Sequence, residues 1–281
     1  MDPAPPQATL TVLGSGTLLP DAARSSASFH LDVPAGNGSS RGVLLDCGSG
    51  TLHGLARHGV DWRAIDVIAL THYHTDHVGD LAALLGAFRY VGRSRPMTML
   101  GPGDLRSYLS RLAAVAGRWV TDPGFALDVV ALGARAGGAD AVWSDPDGSL
   151  AIGSCRTPHT DVSRALRVQG AWGRVGYTGD TGPSAEVAEF LSGCDVLVAE
   201  CALSDPPAME THLAPSTLAA MARRARPDLL VVTHVCPPRA GDETAEEIRA
   251  AWQGRVVAAY DGMRVRVSAE GATVDHAAGG P

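Results

Sequence analysis

Apolar positions along the chain fall in short blocks of strand length, and several of the breaks between them open into stretches with helical spacing. Thr9–Leu13 reads as a strand running into a Gly14-Ser15-Gly16 turn, and Phe29–Val33 and Gly42–Asp46 as two more strands. Thr51–His58 has helical spacing and stops at Gly59, a suitable residue after a helix C-terminus. Asp66–Leu70 is a compact buried strand, and a helix is expected over Val78–Tyr90. Strand Met97–Leu100, a helix from Asp104 to Ala116 and strand Leu127–Leu132 close a first half. The rhythm then repeats, with strands Leu150–Thr157, Ala165–Gln169 and Arg174–Thr178, helix Ser184–Leu191 and strand Asp195–Ala199. Helix Pro215–Arg226, strand Leu229–Thr233, helix Glu243–Gln253 and strands Val256–Ala259 and Met263–Val267 complete it. Gly133–Gly148, rich in Gly, Ala and Asp, is the expected mobile loop. Strand meanders mixed with helices, occurring twice, predict an α/β protein of two packed sheets with helices outside. The expected organisation is a leader over 1–8, a single domain over 9–268 and a C-terminal tail over 269–281.

Composition narrows this only slightly. A chain of 281 residues, 45% hydrophobic and 19% charged, buries a core without disulfides and is not of the disordered class. No run approaches the roughly 18 apolar residues of a membrane helix, and Met1–Gln7 lacks the basic and apolar regions of a secretory signal. A cytoplasmic protein is expected. Net charge is −7, and all 23 basic residues are arginine. Such a balance gives no general attraction for nucleic acid, and the missing lysine excludes lysine-nucleophile chemistry. The five cysteines show no C-x-x-C spacing, so neither a disulfide framework nor a thiolate zinc site is expected.

The chemistry is concentrated in Thr71-His72-Tyr73-His74-Thr75-Asp76-His77. The strand Val67–Leu70 delivers this run to a strand end. In an extended loop residues two apart point the same way, so His72 and His74 can converge on one metal while Asp76 and His77 face a second. Imidazole and carboxylate without thiolate suit Zn²⁺, with Mn²⁺ or Fe²⁺ as alternatives. A helix cap at Asp76 would explain one aspartate and none of the histidines. Further ligands are expected at other strand ends: His159 after Leu150–Thr157, Asp180 after Arg174–Thr178 and His234 after Leu229–Val232. Each has a bland reading alone, as a surface histidine, a turn residue or a core histidine. Together with the cluster they complete a two-metal site.

His-x-His-x-Asp-His followed by single His, Asp and His at strand ends resembles the metallo-β-lactamase superfamily, a four-layer αββα sandwich, over residues 9–268 or so. Asp46 in Leu44-Leu45-Asp46-Cys47-Gly48 matches an aspartate ending an early strand of that fold. The opening Leu13-Gly14-Ser15-Gly16-Thr17 with Pro20 and Arg24-Ser25-Ser26, together with Gly79-Asp80-Leu81, Gly179-Asp180-Thr181 and His212, is similar to the ribonuclease Z-like branch. The resemblance implies one metal on His72, His74 and His159, a second on Asp76, His77 and His234, and Asp180 between them. Two such ions about 3.5–4 Å apart acidify a bridging water into the nucleophile, which Asp76 would orient. His212 would serve the leaving group or the transition state, supported by Glu200. The branch's His-Ser-Thr is expanded here to His212-Leu213-Ala214-Pro215-Ser216-Thr217, and the histidine that precedes the glutamate in the family is Ala199. His74 stands where the redox flavo-diiron members carry glutamate, which disfavours oxygen reduction. His30, His53, His58 and His276 are expected to be structural.

Departures from the branch bear on substrate. Members that process transfer RNA carry a long arm, often between the third metal histidine and the bridging aspartate, whereas His159 and Asp180 are 21 positions apart. The expectation is a zinc-dependent phosphodiesterase of small anionic substrates, cyclic nucleotides or cyclic phosphates, with no membrane and no large nucleic acid as partner. Rival readings are a lactonase or arylsulfatase-type ester hydrolase, a tRNA 3′-processing endonuclease, and a degenerate binding protein, the last opposed by seven filled ligand positions. A periplasmic β-lactamase is opposed by the missing signal. The resemblance also admits a homodimer. Specificity residues are expected in Leu18–Ser28, Arg89–Arg95 and Ser204–His212.

Overall fold

The computed structural model describes residues 6–35, 39–133 and 141–275. In chain order its first half contains β1 (Gln7–Gly14), β2 (Ser28–Pro34), β3 (Ser40–Leu45), α1 (Thr51–Arg57), β4 (Ile65–Ala69), α2 (Thr75–Val78), α3 (Leu81–Tyr90), β5 (Met97–Pro102), α4 (Leu105–Ala116) and β6 (Leu127–Leu132). The second half contains β7 (Ala141–Ser144), β8 (Ala151–Arg156), β9 (Arg164–Gly170), β10 (Gly173–Tyr177), α5 (Ala185–Phe190), β11 (Val196–Glu200), α6 (Pro215–Ala225), β12 (Leu229–Thr233), α7 (Gly241–Ala251), β13 (Arg255–Ala258), β14 (Arg264–Ser268) and β15 (Gly271–Asp275).

The strands form an eight-stranded sheet, β15-β14-β1-β2-β3-β4-β5-β6, and a seven-stranded sheet, β13-β12-β11-β10-β9-β8-β7. Each sheet is half antiparallel and half parallel, with the change at β3 in the first and at β10 in the second. The inner parallel strands β4, β11 and β12 are buried on both faces, which explains why their sequences are nearly continuous apolar runs. Side chains alternate faces. In β3 and β4, Val43, Leu45, Val67 and Ala69 enter the core between the sheets, while Leu44 and Ile68 turn outward beneath helices with Leu55, Leu84, Phe88 and Leu109. In β11 and β12, Val196, Val198 and Val231 face inward, and Leu197, Ala199, Leu230 and Val232 pack under α5–α7 with Val187, Leu218 and Ile248. Three apolar layers therefore separate four structural layers, the αββα sandwich. Each fully buried Leu or Val contributes about 1.5–3 kcal/mol.

Three local readings are corrected. The expected helix Val78–Tyr90 is divided at Gly79-Asp80: α2 ends at Val78, and the Asp80 carboxylate accepts from the Gly50 and Leu52 N–H groups at the start of α1 (3.1 and 3.0 Å). Part of the expected loop Gly133–Gly148 is strand β7, paired with β8 from Ala141 to Ser144; positions 134–140 lie outside the described residues. Gly271–Asp275, assigned to the tail on sequence, pairs antiparallel with β14 and forms the sheet edge, while β1 already starts at Gln7. His276 also lies outside the described residues. Among the described residues no helix is long and apolar enough to cross a membrane.

Candidate metal centre

Chemistry-bearing residues follow the C-terminal ends of β3, β4, β8, β10 and β12. Because β3–β4 and β10–β11–β12 run parallel, these ends lie side by side. His72, His74, His159 and Asp180 form one group, and Asp76, His77 and His234 a second, with candidate ligand atoms in each within 4.8 Å of one another. The two oxygens of Asp180 divide between them: Oδ2 lies 3.7 Å from His72 Nε2 and 3.6 Å from His159 Nε2, and Oδ1 lies 3.3 Å from His77 Nε2 and 3.6 Å from His234 Nε2. All seven positions expected from sequence thus converge. His212 falls beside them, grouping with Asp180 and His234.

Local backbone makes this convergence feasible. His234 turns off β12 at φ 56°, and its N–H donates to Ser15 O at 3.0 Å. Gly179 holds φ 54° just before Asp180, where a Cβ would lie 2.8 Å from Thr71 Cβ, so only glycine lets β10 pass this close.

Asp46, fully buried, is the organising residue beneath the site. Its Oδ1 accepts from Thr71 N–H at 2.7 Å, and its Oδ2 accepts from Thr71 Oγ1 at 2.8 Å, Tyr177 Oη at 2.9 Å and His77 Nδ1 at 2.7 Å. A carboxylate accepts only, so His77 donates from Nδ1 and turns Nε2, the nitrogen left to ligate, toward Asp180. Similarly, His159 Nδ1 donates to Thr211 O at 3.1 Å, which leaves Nε2 as the acceptor nitrogen, 3.1 Å from His74 Nδ1. Glu200, 1% exposed, accepts from Thr181 N–H, Ala202 N–H and Leu213 N–H, and from His212 Nδ1 at 2.8 Å. Supports that sequence reasoning missed are Thr71, Tyr177 and the Thr211 carbonyl. Tyr177 lies on a strand 131 positions from Asp46 and carries no local signal.

The donor set fits divalent ions. His72 Nε2, His77 Nε2 and Asp180 Oδ1 are buried without a hydrogen-bond partner, three polar atoms aimed into one small volume. Burial, with His77 adjacent, keeps His72 well below the usual imidazole range; burial likewise lowers His159. Both are neutral at physiological pH, the form that ligates metal. Burial opposes protonation of His77 and His234 too, but Asp180 overrides it and raises both. Burial would raise Asp180 in turn, and His234, His77 and His72 hold it well below the carboxylate range. The arrangement is an anion seeking a cation, consistent with a dinuclear metal site.

Above this floor opens a cavity of about 540 Å³. Leu18, Leu19, Tyr73, Leu203, Met209 and Cys236 form its walls, and His212 reaches into it. Leu18–Ser28 and Ser204–His212 thus supply lining residues as expected. Arg89–Arg95 supplies none: Arg93 instead binds Asp66, Arg63 O and Pro96 O.

Comparison with known proteins agrees with this geometry. Residues 41–235 match the family model described as "Beta-lactamase superfamily domain". A protein named Ribonuclease Z from Mycolicibacterium paratuberculosis is 31% identical, over 92% of this chain and 98% of its own length. The crystal structure of the metallo-β-lactamase fold protein YhfI from Bacillus subtilis superposes with a TM-score of 0.76 at 20% identity, covering 93% of this chain and 99% of its own. A diphosphatase from the PhnP family superposes with a TM-score of 0.66 at 21% identity, covering 92% and 97%. The chain belongs to the metallo-β-lactamase superfamily, is related to ribonuclease Z, and is a metal-dependent hydrolase of that fold.

Proposed function

We propose that this superfamily member is a phosphodiesterase of small substrates working with two divalent ions, zinc first among those its donor set accepts. His72, His74 and His159 would hold one ion and Asp76, His77 and His234 the other, with Asp180 shared. Bound there, the ions supply Lewis-acid charge against the phosphoryl oxygens and lower the pKa of water toward neutrality.

The observation that carries this reading is the Glu200–His212 pair, 2.8 Å apart, set against both histidine groups. The His212 ring centroid lies 4.7 Å from that of His159 and 6.1 Å from that of His234. Burial works against a proton on His212, yet the hydrogen bond and charge of Glu200 overcome it and raise the group. His212 therefore holds a proton at its Nδ1 against Glu200 and presents Nε2–H to the cavity, positioned to protonate a departing oxygen. Asp76, buried and with Oδ2 3.2 Å from His234 Nε2, is the acceptor that orients attacking water. The relatives' name, Ribonuclease Z, denotes cleavage of phosphodiesters and supports phosphoryl chemistry over carboxyl-ester or sulfate chemistry.

Small substrates are supported by the short connection between His159 and Asp180. β9 and β10 are joined through Ala171 and Trp172 alone, leaving no protruding arm there. The relatives' name favours RNA as a second reading, opposed by a cavity whose described lining residues include no arginine.

The test is hydrolysis of bis-p-nitrophenyl phosphate by metal-loaded protein, beside an aryl ester, a lactone, an aryl sulfate and a 3′-extended transfer RNA, with Asp76→Ala in parallel. Diester turnover that disappears in Asp76→Ala is the expected result; turnover confined to any other substrate refutes the proposal. His212→Gln should lower kcat about 10²–10⁴-fold for an alkyl leaving group and far less for p-nitrophenolate, which leaves without a proton.

A further inference from the structure

We propose that the apolar wall of the cavity binds a hydrophobic arm of the substrate, so that the preferred substrates are singly charged phosphodiesters carrying an alkyl or aryl group. This rests on the phosphodiesterase reading and adds the chemistry of the group beyond the reacting phosphorus.

The floor of the cavity is entirely polar and the opposite side is not. Leu18, Leu19 and Met209 line it while remaining 68%, 49% and 50% exposed. Large apolar side chains left this open around a functional cleft mark a binding surface. Leu203 continues the wall inward. Tyr73 contributes its ring, since its hydroxyl donates to Pro102 O at 3.0 Å and the ring is stacked on Tyr108 with centroids 4.3 Å apart.

Among the described residues of the lining, counter-charge is present only at the floor. The described lining residues include no arginine, and the chain has no lysine. Arg24, on the segment that bears Leu18 and Leu19, is spent on Asp21 at 2.6 Å and on Val235 O at 3.0 Å. A second phosphate or a carboxylate on the substrate would enter the cavity unpaired and desolvated, which is unfavourable. One anionic phosphoryl group at the floor and an uncharged arm against the wall match what the surface offers.

The wall is fixed in place. Asp261 Oδ1 accepts from Ser15 N–H (2.8 Å) and Ser15 Oγ (2.9 Å), and Oδ2 accepts from Ser25 N–H (2.7 Å), clamping both ends of the Leu18–Leu19 segment. Leu19 N–H donates to Thr17 Oγ1 at 3.1 Å.

The experiment uses alkyl p-nitrophenyl phosphates, in which the leaving group is constant and only the arm varies: methyl, ethyl, butyl, and a carboxypropyl arm of similar length with a second charge. Metal-loaded protein should show kcat/KM rising about fourfold per methylene, with the carboxypropyl diester at or below the methyl one. Leu18→Ser and Met209→Ser, both at exposed positions, should pull the butyl-to-methyl ratio toward one. A flat series, or a faster carboxypropyl diester, overturns the apolar-arm proposal and leaves the phosphodiesterase reading intact. No turnover of any diester overturns both. A ratio that survives both substitutions while the particle mass falls by light scattering assigns these side chains to contact between two copies and overturns the proposal.

Discussion

Replacing Asp46 by Asn is the sharpest probe of how the site is held. The carboxylate takes four donors, one on Oδ1 and three on Oδ2. An amide cannot satisfy them in either orientation. With its nitrogen at the Oδ1 position it faces the Thr71 N–H, donor against donor, and a buried backbone N–H loses its partner. With its nitrogen at the Oδ2 position, the hydroxyls of Thr71 and Tyr177 can rotate, but His77 must move its proton from Nδ1 to Nε2. The first outcome costs about 1–3 kcal/mol of stability. The second places a proton on the lone pair that faces Asp180. Stability of metal-free Asp46→Asn, read from urea denaturation, should fall by about 1–3 kcal/mol. Zinc affinity, read by competition with a chelating indicator, should fall about 10–100-fold. Wild-type zinc affinity in a variant that has lost the expected stability would show that Asp46 is structural support only, and would refute the tautomer argument.

Two further outcomes follow from residues away from the ligands themselves. Burial holds the His30 imidazole down at about 4, against 6.5 when exposed, with Asp32 and Asp61 offsetting only part of it. The unfolded chain therefore takes up a proton below pH 6.5 that the folded chain refuses until about pH 4. Stability at this residue is fully present above pH 6.5 and is lost as pH falls, by about 3 kcal/mol in all. Urea midpoints of His30→Gln should lose this part of the pH slope, and a slope as steep as wild type refutes the assignment. Gly179→Ala puts a Cβ 2.8 Å from Thr71 Cβ at φ 54°, which should destabilise by about 1–3 kcal/mol, a Tm fall of several degrees, and reduce retained zinc. A Tm within one degree of wild type excludes this crowding.

What could be read from sequence was whatever produces local pattern. Val67-Ile68-Ala69-Leu70 declares a strand buried on both faces, and a ligand run at its end is legible because apolar strands and polar strand ends contrast sharply. His159, Asp180 and His234 were legible for the same reason. The edge strands were not. β7 lies among Gly and Asp residues with Val142 59% exposed, and β15 is defined only by its ladder with β14. Helical periodicity runs through Gly79-Asp80 without a break, and only the distant N-terminus of α1 recruits Asp80 out of it. The allotment of Asp180's two oxygens, the Tyr177 bond to Asp46 and the apolar wall are all long-range facts. Leu18–Ser28 was expected to bear on specificity, but only the fold shows that Leu18 and Leu19 stay exposed as an apolar wall over the histidines.

The two ligand groups draw on both sheets. His72, His74, Asp76 and His77 follow a strand of the first sheet, while His159, Asp180 and His234 follow strands of the second. Any ion bound by members of either group is therefore a rivet across the seam between the two halves of the chain. Its binding free energy is available only when the halves are docked, so it adds to the cohesion of the sandwich as well as to chemistry. Chelation should then loosen the ligand-bearing end of the sheet pair first, and hydrogen exchange at Thr71, Thr178 and His234 should quicken before exchange in the antiparallel ladders of β1–β2 and β8–β9.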